Sequence, residues 1–134
     1  MSDWNKQVIA EFRANAGKVA QFGDNPVVIL HTIGAKSKEL REIPLVALVK
    51  DDHLVVFASK GGATTHPDWY FNLLATPEID VEFGTESYRA NVVQLPADEA
   101  ASTIMAQAAL MPQFGEYVKT AAPRVIPAFS ITRV

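Results

Sequence analysis

The sequence predicts an α+β fold that is mainly β, a small antiparallel barrel covered by helices. Three observations lead there. Five or six short runs rich in Val, Ile and Phe are bounded by Gly, Pro, Asp and Asn, the residues that end strands in tight turns. Most of these runs follow one another closely enough to be hairpins, and amphipathic helical spacing occurs at the start, middle and late in the chain. Strand–helix–strand alternation and a G-x-G-x-x-G turn are both missing, which disfavours a doubly wound nucleotide fold. The 134 residues fit one domain, 1–134, of which 1–25 form an N-terminal helix and linker.

The elements follow in order. Asp3 is placed to cap a first helix on which Trp4, Val8, Ile9 and Phe12 share an apolar face, and Gly17 stops it. Gly23-Asp24-Asn25-Pro26 turns into a strand over 27–33, and 34–41 reads as a polar loop. Segments 44–50 and 54–59, joined by Asp51-Asp52, read as an antiparallel hairpin. Pro67 suits the first turn of a short helix over 68–75. Segments 79–83 and 88–93 flank Gly84-Thr85-Glu86 as a second hairpin. A helix opens at Pro96-Ala97 with Ala101, Ile104, Met105 and Ala108 on one face, and Pro112 ends it. A loop over 111–120 follows, and the last strand runs over about 125–132, with Pro127 marking an edge or bulge.

Composition narrows the function classes. A formal net charge of −3 gives no general footprint for nucleic acid, so an anion site must come from a local cation cluster. The absence of cysteine excludes disulfides, thiolate metal sites and a cysteine nucleophile, and it suits a reducing cytosol. The polar start Met1-Ser2-Asp3-Trp4-Asn5-Lys6 lacks a signal-peptide core, and runs such as 54–58 are too short to cross a bilayer. The expectation is a cytoplasmic protein, at most peripheral to a membrane. His31, His53 and His66 form no metal-ligand pattern, so no metal is expected, and His31 is expected to be packed or hydrogen-bonded. Serines 59, 87, 102 and 130 lack a nucleophile elbow.

Two loops and one helix hold the candidate chemistry. Lys36, Ser37, Lys38 and Arg41 follow Gly34 and suit an oxyanion such as phosphate, although a solvated hairpin tip has the same composition. Ser59-Lys60-Gly61-Gly62 at a strand end lets backbone approach a ligand and adds a charge, although an ordinary turn would look alike. In His66 to Leu73, Trp69 shares a helix face with Asn72 and Leu73, a pattern that core packing also explains.

Taken together, the order Thr32-x-Gly34-x-Lys36-Ser37-x-x-x-Arg41-x-x-Pro44-Leu45, then Ala58-Ser59-Lys60-Gly61-Gly62, then Pro67-x-Trp69-Tyr70-x-Asn72-Leu73 and Pro77, resembles the deazaflavin (coenzyme F420)-dependent nitroreductase family. The closing Arg124-Val125-Ile126-Pro127 resembles its C-terminus, and the likeness covers about residues 26–134. It implies a split β-barrel of the FMN-binding type. It also implies hydride transfer from reduced F420 to nitroaromatics, quinones and activated enones or lactones. Carried over, Lys36, Ser37 and Arg41 hold the cofactor's phosphate and acidic tail, and Lys60 adds charge. Ser59, Gly61 and Gly62 line its path. Pro44, Leu45 and Ala58 pack near the ring, and Trp69, Tyr70 and Asn72 close the site. Tyr117 matches a tyrosine that meets substrate and is the candidate proton donor, with a half-buried amphipathic tyrosine as the plain alternative.

The chain departs from the family at Ala35-Lys36-Ser37-Lys38, where Arg-Lys-Ser-Gly is usual, and its 117–123 linker is a residue longer. The alternatives are an FMN-binding split-barrel oxidoreductase and a non-catalytic F420-binding protein. Related split barrels often pair, which leaves a homodimer open.

Overall fold

The computed structural model describes residues 3–134. Helix α1, Asp3–Ala14, buries Val8, Ile9 and Phe12 as its spacing predicts, while Trp4 at the outer end of that face is half exposed. The chain leaves the helix through Gly17, whose φ of +92° suits only glycine, and a Cβ there would lie 2.8 Å from the Cα of Gly84. This stop signal therefore also marks a close backbone approach.

Seven strands make one sheet: β1 Val27–Ile33, β2 Leu40–Val46, β3 Leu48–Val49, β4 Leu54–Phe57, β5 Glu78–Phe83, β6 Glu86–Gln94 and β7 Ala128–Arg133. Every pairing is antiparallel, and the spatial order is β2-β1-β5-β6-β7-β4-β3. The two edge strands, β2 and β3, are neighbours in the chain with only Ala47 between them. A sheet whose opposite edges belong to one bent segment must curl, and it forms a split barrel.

That bend corrects the expected 44–50 strand. Its first half belongs to β2 and pairs with β1, and only Leu48 and Val49 pair with Leu54 and Val55 of β4. Ala47 N still donates to Pro26 O at 2.9 Å before the chain crosses over. One straight strand cannot serve partners at opposite edges of the sheet. Pairing with β1 also extends β2 back to Leu40, so Arg41, expected in a loop, stands on a strand.

Three apolar clusters hold the barrel and its covers. Val28, Leu30, Val56, Val81, Val92, Phe129 and Ile131 fill the interior, closed by Trp69 and Leu73 of α2, Asp68–Ala75. Val27 and Ile29 turn outward from β1 onto α1, beside Val8, Ile9 and Phe12. Leu48, Val55, Phe57 and Ala128 turn outward onto α3, Ala97–Leu110, and α4, Pro112–Ala121. Because β1 and β4 are covered on both faces, their cores read as unbroken apolar runs, Val27 to Leu30 and Leu54 to Phe57, without alternation.

Both late helices differ from expectation. In α3 the fully buried residues are Ala100, Thr103 and Gln107; of the expected face, Ile104 and Ala108 pack partly buried against the same cluster, whereas Ala101 is exposed and Met105 is 75% exposed. Thr103 Oγ1 donates to Ala100 O at 2.9 Å, so its polarity does not bar it from the interface, and the helix turns that face inward. Pro112 starts α4 where a loop was expected, because proline's missing N–H is tolerated in a first turn. The last strand begins only at Ala128, and Pro127 O accepts from Ala58 N just before it.

A charged network ties α1 to the sheet. Arg13 donates to both carboxylate oxygens of Glu82 on β5, at 3.1 and 2.7 Å, and to Glu42 on β2 at 2.5 Å. His31 Nε2 on the intervening β1 lies 2.7 Å from Glu82, so this histidine is hydrogen-bonded as expected. The ligand-type atoms of His31, Glu42 and Glu82 all fall within 4.8 Å of one another, and the guanidinium of Arg13 supplies the positive charge on both carboxylates.

The hydrogen bond from Arg13, more than that from His31, holds Glu82 below its ordinary value of about 4.5, against an opposing effect of burial. A depressed carboxyl stabilises the fold fully above that ordinary value, and the contribution is lost as pH falls through the lowered one. Urea midpoints should therefore drop more steeply on acidification in the wild type than in Arg13→Met. Parallel midpoint curves would show that the network is not coupled to folding.

Candidate functional site

A cavity of about 900 Å³ opens between the two helical covers, where the barrel is split. Ile43 to Val46 of β2 and Trp69 of α2 form its floor. Trp4 and Phe22, edge to face with centroids 6.3 Å apart, stand on the α1 side. Met111, Phe114 and Tyr117 stand on the α4 side, and Ser59, Lys60 and Gly61 close one end. Among the described residues Lys60 carries the one charge on this lining; the other polar side chains include the carboxamides of Asn5, Gln21, Asn25, Gln107 and Gln113.

The closing turn has a defined backbone. Ser59 is right-handed helical (φ −75°, ψ −36°), and Lys60 and Gly61 follow with φ of +49° and +61°. A right-handed residue followed by a left-handed one turns successive N–H groups into a concave anion cradle. A Cβ on Gly61 would meet nothing within 4 Å, whereas one on Gly62 would lie 2.9 Å from the Cα of Tyr117 and collide with Thr120 Oγ1. Gly61 thus leaves room at the cavity, and Gly62 lets α4 press on the turn. Thr120 Oγ1 donates to Gly62 O at 2.9 Å, locking the two together.

Behind the turn, Arg124 gathers the loop. Its guanidinium donates to Ala58 O (2.9 Å), Ser59 O (2.9 Å) and Ala63 O (2.7 and 3.1 Å). His66 Nδ1 lies 3.1 Å from its Nη1, and the His66 ring stacks on Tyr70 at 4.2 Å. Burial, and then the positive charge of Arg124, hold His66 below the usual histidine range. That favours the neutral ring, which can accept from the guanidinium. Burial likewise lowers the Arg124 guanidinium from its ordinary value.

The residues picked out in the sequence fall into three places. Pro44, Leu45, Ser59, Lys60, Gly61, Trp69 and Tyr117 line the cavity together. Ala58, Gly62, Tyr70 and Asn72 lie behind it: Ala58 is fully buried, Tyr70 packs edge-on against Phe129, and Asn72 Oδ1 accepts from Ala35 N at 2.9 Å. Lys36, Ser37 and Arg41 lie outside the lining. The 34–39 loop closes on itself through Gly34 N to Glu39 O, and Ser37 Oγ accepts from Glu39 N at 3.2 Å. Arg41 stands on β2 just before the lining segment that starts at Ile43.

Sequence reasoning missed α4, Thr120 and the role of Arg124. Phe114, Tyr117 and Ala121, spaced three and four apart after a proline, are the signal that could have revealed the helix. Nothing local distinguishes Arg124, because its partners are carbonyls about sixty residues away.

The chain matches the profile of the F420H(2)-dependent quinone reductase family over residues 4–132. It is 33% identical over 81 residues to an F420H(2)-dependent quinone reductase of Mycobacterium tuberculosis, an alignment covering 59% of this chain and 54% of that protein. The chain thus spans about half the length of the curated relatives it matches. A solved F420-H2 dependent reductase, FDR-A, superposes with a TM-score of 0.70 at 32% identity, over 79% of this chain and 93% of that one. A second solved structure, described as a domain-swapped dimer, gives 0.72 at 29% identity over 96% and 97% of the two chains. With a family profile that runs through nearly every element from α1 to β7, the chain belongs to the F420H(2)-dependent quinone reductase family.

Proposed function

We propose that this chain binds coenzyme F420 in the split-barrel cavity and passes hydride from its reduced form to small, planar, uncharged electrophiles. Quinones come first, with nitroaromatics and activated enones or lactones of the same shape behind them. The observation that carries this is the pairing of a cationic backbone cradle with an apolar, aromatic-walled cavity whose lining bears no carboxylate among the described residues. The residues present fit a phosphate joined to a flat ring. Ser59 to Gly61 offer N–H groups and Lys60 a charge to the phosphate, and Pro44, Leu45 and Trp69 offer a flat apolar bed to the ring.

Lys36 and Arg41 stand outside the cavity wall as cations for an acidic tail, and Ser37 orders their loop. Ala58 and Gly62 hold the cradle's shape from behind, while Tyr70 and Asn72 fix α2 and, through Ala35, the cationic loop. When bound, the reduced deazaflavin supplies two electrons and a proton as hydride. The chain's part is to position the acceptor, exclude most water and allow a second proton to reach the product from solvent or from Tyr117, so that a quinone leaves as its quinol. A cavity lined by a cation and no anion favours neutral acceptors over cationic ones.

Among the described residues no helix is long and apolar enough to cross a membrane. The cysteine-free composition supports residence in the reducing cytoplasm, and the single barrel with its covers supports residues 1–134 working as one domain. The domain-swapped dimer among the solved relatives supports a homodimer.

Side-by-side titration with F420 and FMN, followed by an acceptor screen, tests the proposal. F420 should bind more tightly, and its reduced form should be oxidised by a naphthoquinone. Preferential FMN binding would make the chain a flavin enzyme, and tight F420 binding with no oxidation by any acceptor would make it a carrier.

Lys60→Ala should weaken F420 binding about ten- to thirty-fold, the equivalent of about 1–2 kcal/mol for a charge-assisted contact. The salt sensitivity of binding should shrink with it. Unchanged affinity and salt response would move the phosphate site elsewhere. Tyr117→Phe should slow quinone turnover by less than about ten-fold, since water can deliver the proton. A loss of several orders of magnitude with intact F420 binding would make Tyr117 the general acid.

A further inference from the structure

The buried face of α3 carries a polar side chain whose amide donates to a thioether. Gln107 is 3% exposed, lines the cavity, and donates its Nε2 to the thioether of Met111 at 3.0 Å. The other carboxamides on the lining are exposed or half-buried, and Asn25 Nδ2 is already held by Phe22 O at 2.9 Å. A buried donor normally finds an oxygen, and thioether sulfur is a weak acceptor. Met111 also lines the cavity, and its flexible side chain yields at small cost.

The geometry points to Gln107 as the residue that selects carbonyl-bearing acceptors, its amide N–H leaving Met111 Sδ to bond a quinone oxygen. This rests on the function proposed above. Exchanging a sulfur for a carbonyl oxygen is favourable in a desolvated wall, where hydrogen bonds are electrostatically stronger. The gain grows as the reaction proceeds. Hydride taken up by the quinone would bring two electrons, which bound reduced F420 would supply on becoming oxidised, and would gather negative charge on the carbonyl oxygen. A proton from water then completes the quinol. An amide N–H already aimed at that oxygen stabilises the charge as it develops. Met111 serves as the placeholder that satisfies the amide while no acceptor is bound.

The test uses the chain's two tryptophans, Trp4 and Trp69, which both line the cavity, so their fluorescence reports acceptor binding without any cofactor. Quenching by 2-methyl-1,4-naphthoquinone is measured for wild type, Gln107→Leu, Gln107→Met and Met111→Leu. F420 affinity, and turnover with the naphthoquinone and with phenazine, which is neutral and contains no oxygen, are measured on the same proteins.

Both Gln107 variants should bind the quinone about ten-fold more weakly and lose kcat/KM for it by at least as much. F420 affinity and the phenazine rate should stay within about two-fold of wild type, because neither uses the amide. Met111→Leu conserves volume and removes the placeholder, so its quinone affinity should equal or exceed wild type. A purely structural amide would make Met111→Leu fail alongside Gln107→Leu and would slow both acceptors equally; that result, or quinone binding unchanged in Gln107→Leu and Gln107→Met, overturns the assignment. If wild type neither binds nor oxidises F420, the proposed function fails. Quinone quenching and its loss in the Gln107 variants would still report on the amide.

Discussion

Everything in this molecule hangs on a single segment, Leu40 to Val49, being hydrogen-bonded at both edges of the same sheet. Up to Val46 it is the partner of β1, and from Leu48 it is the partner of β4. The crossing takes place within one residue, Ala47, which is 2% exposed. The edge at β3 is only two residues long, so the outer side of β2 is the one strand-length edge among the described residues, and an unpaired edge is the usual hazard of an open sheet. The same crossing leaves the barrel split, and the cavity floor is the stretch of β2 that leads into it. Fold closure and the cavity are therefore two results of one bend.

The cradle at the cavity's end depends on a second, denser set of contacts. A run of positive φ at Lys60, Gly61 and Gly62 is unfavourable for an isolated turn. It persists because Arg124 holds three carbonyls of the surrounding loop and Thr120 holds a fourth. Those two residues come from the end of α4 and the segment before β7, so the C-terminal quarter of the chain shapes a turn in its middle. A left-handed conformation at Lys60, a residue with a Cβ, is compatible with this many external anchors.

Much of this was legible in the sequence, and what was not has a common cause. The strands announced themselves because β-branched runs and turn residues act locally, and β1 was readable to the residue. Pro44, Leu45, Ser59, Lys60, Gly61, Trp69 and Tyr117 were singled out and do share one cavity. The errors arose where a distant partner decided the outcome. The 44–50 hairpin failed because β1 competes for its first half. The face of α3 was misjudged because Thr103 and Gln107 satisfy their polar atoms locally and can be buried. Arg124 was invisible as an organiser because only the folded loop brings its carbonyl partners together.

The two walls of the cavity rest on different foundations. Trp4 and Phe22 belong to the cover that packs on Val27 and Ile29, whereas Phe114 and Met111 belong to the cover that packs on Val55 and Phe57. Neither apolar cluster shares a residue with the other or with the barrel interior. Substitutions on opposite walls should therefore combine nearly additively in stability, since coupling is confined to residues that touch. The lining of such a scaffold can drift one wall at a time while the barrel and the cradle keep their sequence. This modularity would let a lineage of these chains diversify the shape of the cavity faster than the fold.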